Sequence, residues 1–243
     1  MLAAREPARR FASASTIKTF LLAGALETER PERIVIDPSL RAEGDGVLRH
    51  FPLPVELEWE AVLALMTVLS DNTATNAVIA GLGGVDACNA RLAAWGLAAT
   101  RLRGFVDARG EPARDRDGVR VAEGSPTPAG LGVTTPAEHE WVLRRLVAVG
   151  GLGLELLLAQ QDRRSLARRL AVGVSFAHKT GTVGRVRHDG GVLFAGGRTV
   201  FVQAFTDGGP EAEWVDHPAC VGMGEAMVAT VAALGLDVEV LPP

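Results

Sequence analysis

The chain has 243 residues, 47% of them hydrophobic, which is enough to bury a substantial core as one domain or two interleaved lobes. Charged residues make up 22% and the formal net charge is −4, with no basic block that would point to nucleic acid. No apolar run reaches the roughly 18 residues at which a membrane span is considered.

Residues 1–10 carry Arg5, Arg9 and Arg10 and no apolar segment of a secretory signal. The chain as given is therefore expected in the cytoplasm. Residues 16–26 read as a helix with Ile17, Phe20, Leu21 and Ala25 on one side and Ser15 at its N-terminus. Val35 and Ile36 suggest a short extended piece, and 38–54 a loop with Gly44, Gly46, Pro52 and Pro54. Residues 58–69 are apolar and helical. Ser70-Asp71-Asn72 interrupts them, the helix resumes over 73–82, and Gly83-Gly84 ends it. A short helix follows over 86–95.

Residues 101–133 are irregular and rich in Gly, Pro, Arg and Asp, a length of loop that is usually functional or disordered. Thr135-Pro136-Ala137-Glu138 has the pattern of a capping box with proline at the first helical position, opening a helix to about 149. Residues 152–161 continue as an apolar helix. Residues 172–179, 191–195 and 199–205 read as strands, with a tight hairpin at Gly196-Gly197, and 213–234 as a closing helix. This order predicts an α+β fold, an antiparallel sheet flanked by helices beside a helical lobe. Cys88 and Cys220 lack the spacing of a metal site and are expected to be buried free thiols.

Three short motifs stand in order: Ser15-Thr16-Ile17-Lys18, Ser70-Asp71-Asn72 and Lys179-Thr180-Gly181, their first residues separated by 55 and 109 positions. Taken singly, each has an ordinary reading, as a helix cap, a helix-ending turn and a strand end. Together they supply complementary chemistry. Ser15 and Lys18 share a helix face. A serine at a helix N-terminus has backbone N–H groups and the positive dipole end beside it, and a lysine of lowered pKa can take its proton. Ser70 and Asn72 break an apolar run, with Asn76 one turn further on. Lys179 and Thr180 offer charge and a hydroxyl to a substrate carboxylate, and Gly181 allows close approach. His178 beside them reads as an edge-strand histidine.

This set resembles the class A β-lactamases and related penicillin-recognising serine hydrolases. The resemblance extends over 11–18, Gly46-Val47-Leu48-Arg49, the SDNTATN run from Ser70 to Asn76, Gly83-Gly84-Val85-Asp86, Thr134-Thr135-Pro136, and His178 to Gly181 with Val186-Arg187-His188-Asp189. It implies a β-lactamase/transpeptidase-like fold: a sheet-containing lobe from 1–39 and 170–243, and a helical lobe over 40–169 with an omega-like loop. It also implies acylation at Ser15, with Lys18 as proton partner and Ser70 relaying a proton to the leaving nitrogen. The backbone N–H groups of Ser15 and Thr182 would form an oxyanion hole. Asn72 and Asn76 would face the substrate, and Lys179, Thr180 and Gly181, with Arg185 or Arg187, would hold its carboxylate. No metal or cofactor is implied. The partner is a small molecule, a β-lactam or an acyl ester or peptide, acted on by a monomer.

Two departures qualify the resemblance. The family's deacylating glutamate has E-x-x-x-N spacing, whereas Glu111 and Glu123 are followed four residues later by Asp115 and Thr127. Glu123 is the better-placed candidate. The family also has a helix and two strands ahead of the nucleophile segment, so the sheet is expected to lack its N-terminal strands and leave an unpaired edge. A longer natural N-terminus would bring periplasmic or secreted localisation. A D,D-peptidase-like or esterase enzyme, and a β-lactam-binding protein without turnover, remain open alternatives.

Overall fold

The computed structural model describes residues 3–29, 31–106, 130–211 and 216–242. In chain order the elements are β1 (Phe11–Ala12), α1 (Ile17–Glu27), β2 (Arg33–Ile36), β3 (Val55–Glu58), α2 (Trp59–Val68), α3 (Asn72–Gly81) and α4 (Val85–Ala94). Then come β4 (Arg101–Leu102), β5 (Gly132–Thr134), α5 (Pro136–Val149), α6 (Leu152–Leu158), β6 (Phe176–Val183), β7 (Val186–Ala195), β8 (Arg198–Thr206) and α7 (Pro218–Ala233). The fold is α+β. Its principal sheet is antiparallel in the order β6-β7-β8. Two smaller sheets, β1-β5-β4 and β2-β3, tie the chain crossings together.

Helix α1 departs from the one-sided pattern. Every residue from Ile17 to Ala25 is buried, Lys18 included. A helix apolar nearly all round belongs inside a core. Here α1 packs with α2, α3, α4 and α5 in an apolar cluster that includes Leu22, Leu63, Met66, Ile79 and Leu143. A second cluster joins α7, through Met223 and Met227, to Phe176, Leu193 and Val200 of the sheet. Cys88 and Cys220 are both buried free thiols, and burial pushes the Cys88 thiol up to about 11.

Strand β6 continues through the Lys-Thr-Gly motif to Val183, rather than ending at Lys179, and its residues before 176 form a turn around Gly173. The reason lies at Gly181. A Cβ there would stand 3.0 Å from Thr16 Cγ2 and 3.1 Å from both Ser13 O and Thr16 N. The glycine lets the strand run close beneath the turn that carries Ser15. Gly181→Val is expected to force that turn off the sheet, costing about 1–3 kcal/mol as overpacking does. A melting curve read beside the acylation rate checks this, since displacement of Ser15 lowers both.

Strand β7 begins at Val186, five residues before its predicted start. Residues 186–193 are all buried, so the alternation that marks a half-exposed strand is absent, and Arg187, His188 and Asp189 are polar residues of a covered strand. The hairpin at Gly196 and Gly197 has φ of 55° and 72°, the paired positive values of a two-residue turn. Among the described residues, no strand pairs with the outer edge of β8.

Candidate active site

The interruption between α2 and α3 sets the site. Ser70 has φ of 56°, a left-handed conformation rare for a non-glycine residue, and such strain tends to collect at functional positions. Asp71 follows as the cap of α3. One of its oxygens accepts from Ala74 N at 2.8 Å. The other accepts from Val47 N at 2.7 Å and Leu48 N at 2.8 Å, pinning the 43–48 segment to the helix. A Cβ at Gly46 would lie 2.2 Å from the Asp71 carboxyl, which excludes any other residue there. Asp71→Ala leaves these three N–H groups without their acceptor, at about 1–3 kcal/mol for each one left buried and unsatisfied. The expected result is a loss of roughly 3–5 kcal/mol in denaturant unfolding.

Two lysine side chains meet at Ser70. Lys18 Nζ donates to Ser70 O at 2.7 Å, to Ser70 Oγ at 3.1 Å and to Asn72 Oδ1 at 2.8 Å. Lys179 Nζ donates to the same Ser70 Oγ at 3.2 Å and to Thr180 O at 3.1 Å. Ser70 Oγ therefore accepts from both amines, and its own proton is free to point elsewhere. Both lysines are fully buried. Burial, then the positive charge of Lys179, pushes the Lys18 amine down to about 7, against the opposing pull of Asp45 and Asp71. Burial pushes Lys179 down to about 8, against Asp162, Asp45 and Asp189.

Ser15 lies in the single 3-10 turn Ala14–Thr16 that leads into α1, behind Ala14 with φ of 45°. It is half-buried and lines a cavity of about 430 Å³ together with Ser70, Thr180, Thr182 and Arg187. Strand β6 is an edge of its sheet, and Phe194 N donates to Ser175 O at 3.0 Å, one position outside the ladder. Antiparallel pairs alternate, so Ala177, Lys179 and Gly181 bond to β7, and the backbone N–H groups of Thr180 and Thr182 turn to the free edge.

The other predicted residues are placed as follows. Asn72 does not line the cavity; its Nδ2 donates to Glu43 O at 2.8 Å while its Oδ1 receives Lys18. Asn76 bridges two loops, donating to Leu40 O at 3.1 Å and Val106 O at 2.7 Å and accepting from Val106 N at 2.8 Å. Arg187 donates to Gly184 O and Val186 O. Arg185 pairs with Glu211 at 3.7 Å away from the cavity. His178 is buried and bonded to Asp189 at 2.9 Å, and Asp189 also accepts from Leu166 N. Glu111 and Glu123 lie outside the described residues.

The sequence did not single out the wall formed after α6. Gln160, Gln161, Asp162 and Arg164 line the cavity there. Arg164 grips Asp162 with two bonds, Nε to Oδ1 at 2.8 Å and a terminal nitrogen to Oδ2 at 3.0 Å. Burial raises the Asp162 carboxyl, but the hydrogen bonds and charge of Arg164 outweigh it and hold the group below its ordinary value. A polar QDRR run directly after an apolar helix was the available signal. Among the described residues, no cluster of His, Cys, Asp or Glu could hold a metal ion, and no helix is long and apolar enough to cross a membrane.

A serine-bearing helix start, a serine held between two lysines and a free strand edge thus surround one cavity. A family model described as the beta-lactamase enzyme family matches residues 2–232. The chain belongs to that family. Among solved structures it is similar to the β-lactamase from Sphaerobacter thermophilus, with 28% identity and a TM-score of 0.75 over 95% of this chain and 86% of that one. A PBP-A variant in acyl-enzyme complex with penicillin G shares the fold at 23% identity and a TM-score of 0.72, over 95% of this chain and 84% of that one. So does an ancestral class A β-lactamase at 23% identity and a TM-score of 0.75, over 95% and 88%. A search of the curated proteins gave no match. Family and fold support a serine β-lactamase-like function.

Proposed function

We propose that this β-lactamase-family protein is a serine hydrolase acylated at Ser15, with β-lactams as its substrates. The observation that carries the reading is Ser70 Oγ accepting from Lys18 and Lys179 at the wall of the cavity that Ser15 lines. In this mechanism Ser15 Oγ attacks the lactam carbonyl and Lys18, one helical turn on, takes its proton. The proton returns through Ser70 to the leaving nitrogen as the C–N bond breaks, so Lys18 and Ser70 end as they began. The developing oxyanion is stabilised by the N–H groups of Ser15 and Thr182. Thr180, Arg187 and the charge of Lys179 take the substrate carboxylate. Asn72 sets the position of Lys18. In this reading the cavity belongs to a groove between a sheet-containing lobe, 1–39 with 170–243, and a helical lobe, 40–169, although α1 packs among the helices and β2 pairs with β3 across that boundary.

A second reading has a specific basis. The E-x-x-x-N spacing is absent from the sequence. The carboxylates lining the cavity among the described residues are Asp45 and Asp162, and Asp162 is held by Arg164. Both facts favour slow deacylation and a D,D-peptidase-like or esterase relative that shares the acylation step. Intact mass spectrometry during incubation with a penicillin tests the main reading. A Ser15-dependent adduct supports it, and the adduct's lifetime distinguishes turnover from trapping. A folded sample that gives neither adduct nor product overturns it. Parallel assays with a chromogenic cephalosporin, a short ester and a D-Ala-D-Ala peptide then rank the substrates.

A further inference from the structure

Asp45 lines the cavity beside Ser70, and the 43–48 segment that carries it is held at several points. Asn72 Nδ2 donates to Glu43 O at 2.8 Å, Asn72 N donates to Asp45 O at 3.0 Å, and the N–H groups of Val47 and Leu48 are taken by Asp71. Gly44 and Gly46, at φ of 89° and 106°, set the backbone on either side of Asp45. Glu43, the other acid of the segment, is engaged by Arg49 at 3.3 Å. Asp45 is exposed and lines the cavity with Ser15 and Ser70, and among the described residues its carboxylate has no hydrogen bond or ion pair.

The rest of the cavity gives this carboxylate meaning. The second acid on its lining, Asp162, is neutralised by the two bonds from Arg164. Thr180 and Arg187 line the cavity from β6 and β7, and the acylation reading assigns the substrate carboxylate to them. The cavity is therefore basic at the sheet, and its Ser70–Asn72 side carries a carboxylate that no hydrogen bond or ion pair engages, within reach of the charges of Lys18, Lys179 and Arg164. A substrate spanning it with its carboxylate at the sheet directs its acyl group away from the sheet. An exposed anion engaged by no hydrogen bond or ion pair favours a substrate cation beside it.

We infer that Asp45 is a specificity-determining residue that favours substrates whose acyl group carries an ammonium close to the carbonyl attacked by Ser15. The inference rests on the acylation reading above. It names a class: α-amino acyl groups, whether on a β-lactam or on an ester or amide. A carboxylate that merely tuned the nearby lysines would change all acyl substrates alike and leave their ratio unmoved.

The test is a ratio of acylation rates at about pH 6.5, where an α-amino group carries its proton. One penicillin has an α-amino group on its phenylacetyl side chain, and its pair lacks only that group. An exposed ion pair corresponds to about a fivefold preference. The ratio is therefore expected to fall about fivefold in Asp45→Asn and further in Asp45→Lys. Equal ratios in wild type and both variants overturn the inference while leaving acylation at Ser15 intact. If neither penicillin acylates Ser15, the β-lactam reading is the one that fails. The same ratio is then taken with the p-nitrophenyl esters of D-alanine and propionic acid, where a drop in the variants upholds the role of Asp45 and an unchanged ratio ends it.

Discussion

Ser15→Ala is expected to abolish the penicillin adduct and to lower kcat/KM by about 10⁴-fold or more, the scale on which loss of a hydrolase nucleophile is felt. The structure makes this a clean substitution. Ser15 is half-buried at the cavity, and the turn that holds it is fixed by backbone bonds such as Thr16 N to Ser13 O at 3.1 Å, and by the packing of Gly181 against Thr16. Removing one hydroxyl leaves those contacts in place. The melting temperature should stay close to that of the wild type, and a substitution outside the core typically stays within about 0.5 kcal/mol. An adduct of the same mass on Ser15→Ala would move the nucleophile to another side chain.

Lys18→Met is expected to slow acylation by about 10²–10⁴-fold, the usual contribution of general acid–base catalysis. Methionine keeps an unbranched chain of similar length in the α1 core, so the fold survives better than with alanine. The pH dependence separates proton transfer from simple damage. In the wild type, kcat/KM should rise through about pH 7 as Lys18 loses its proton and fall above about 8 as Lys179 loses the charge proposed to hold the carboxylate. The ascending limb should vanish in Lys18→Met. In Lys179→Ala it should move to higher pH, because the charge of Lys179 contributes to the lowering of Lys18. Stability follows its own course. Both amines have folded values below the ordinary 10.5, so from about 7 upward the unfolded chain holds more protons and stability rises with pH until about 10.5. That slope should be shallower in Lys18→Met. An unchanged slope would place the Lys18 amine in water.

Much of this was legible in the residues because local rules and the fold agree. The Thr135 hydroxyl accepts from Glu138 N at 3.1 Å and Pro136 opens α5, as the pattern required. Only half of the capping box forms, since the Glu138 carboxylate turns instead to Ala99 N at 3.0 Å and Thr100 N at 2.6 Å. That use depends on a chain crossing no local pattern encodes. The short strands β1, β4 and β5 escaped for the same reason, having two or three residues each and no period to read. The β-lactamase-type motifs marked Ser15, Lys18, Ser70 and Lys179 by type and order. The hydrogen bonds of Asn72 and Asn76 depend on Glu43, Leu40 and Val106, far away in sequence. Asp45 carries no motif, and its significance appears only once the 43–48 segment is seen against the cavity.

The way the cavity is walled has a consequence for how the protein can change. Lys18, Asp71 and Lys179 are buried and bonded at several points, so altering them disturbs fold and chemistry together. Asp45, Gln161 and Arg164 are exposed, contribute nothing to either apolar cluster, and face the same space. Adaptation to a new acyl group therefore has an inexpensive route. Selection for altered substrates in a mutant library should collect changes at these three rim positions first, leaving the lysine–serine centre untouched.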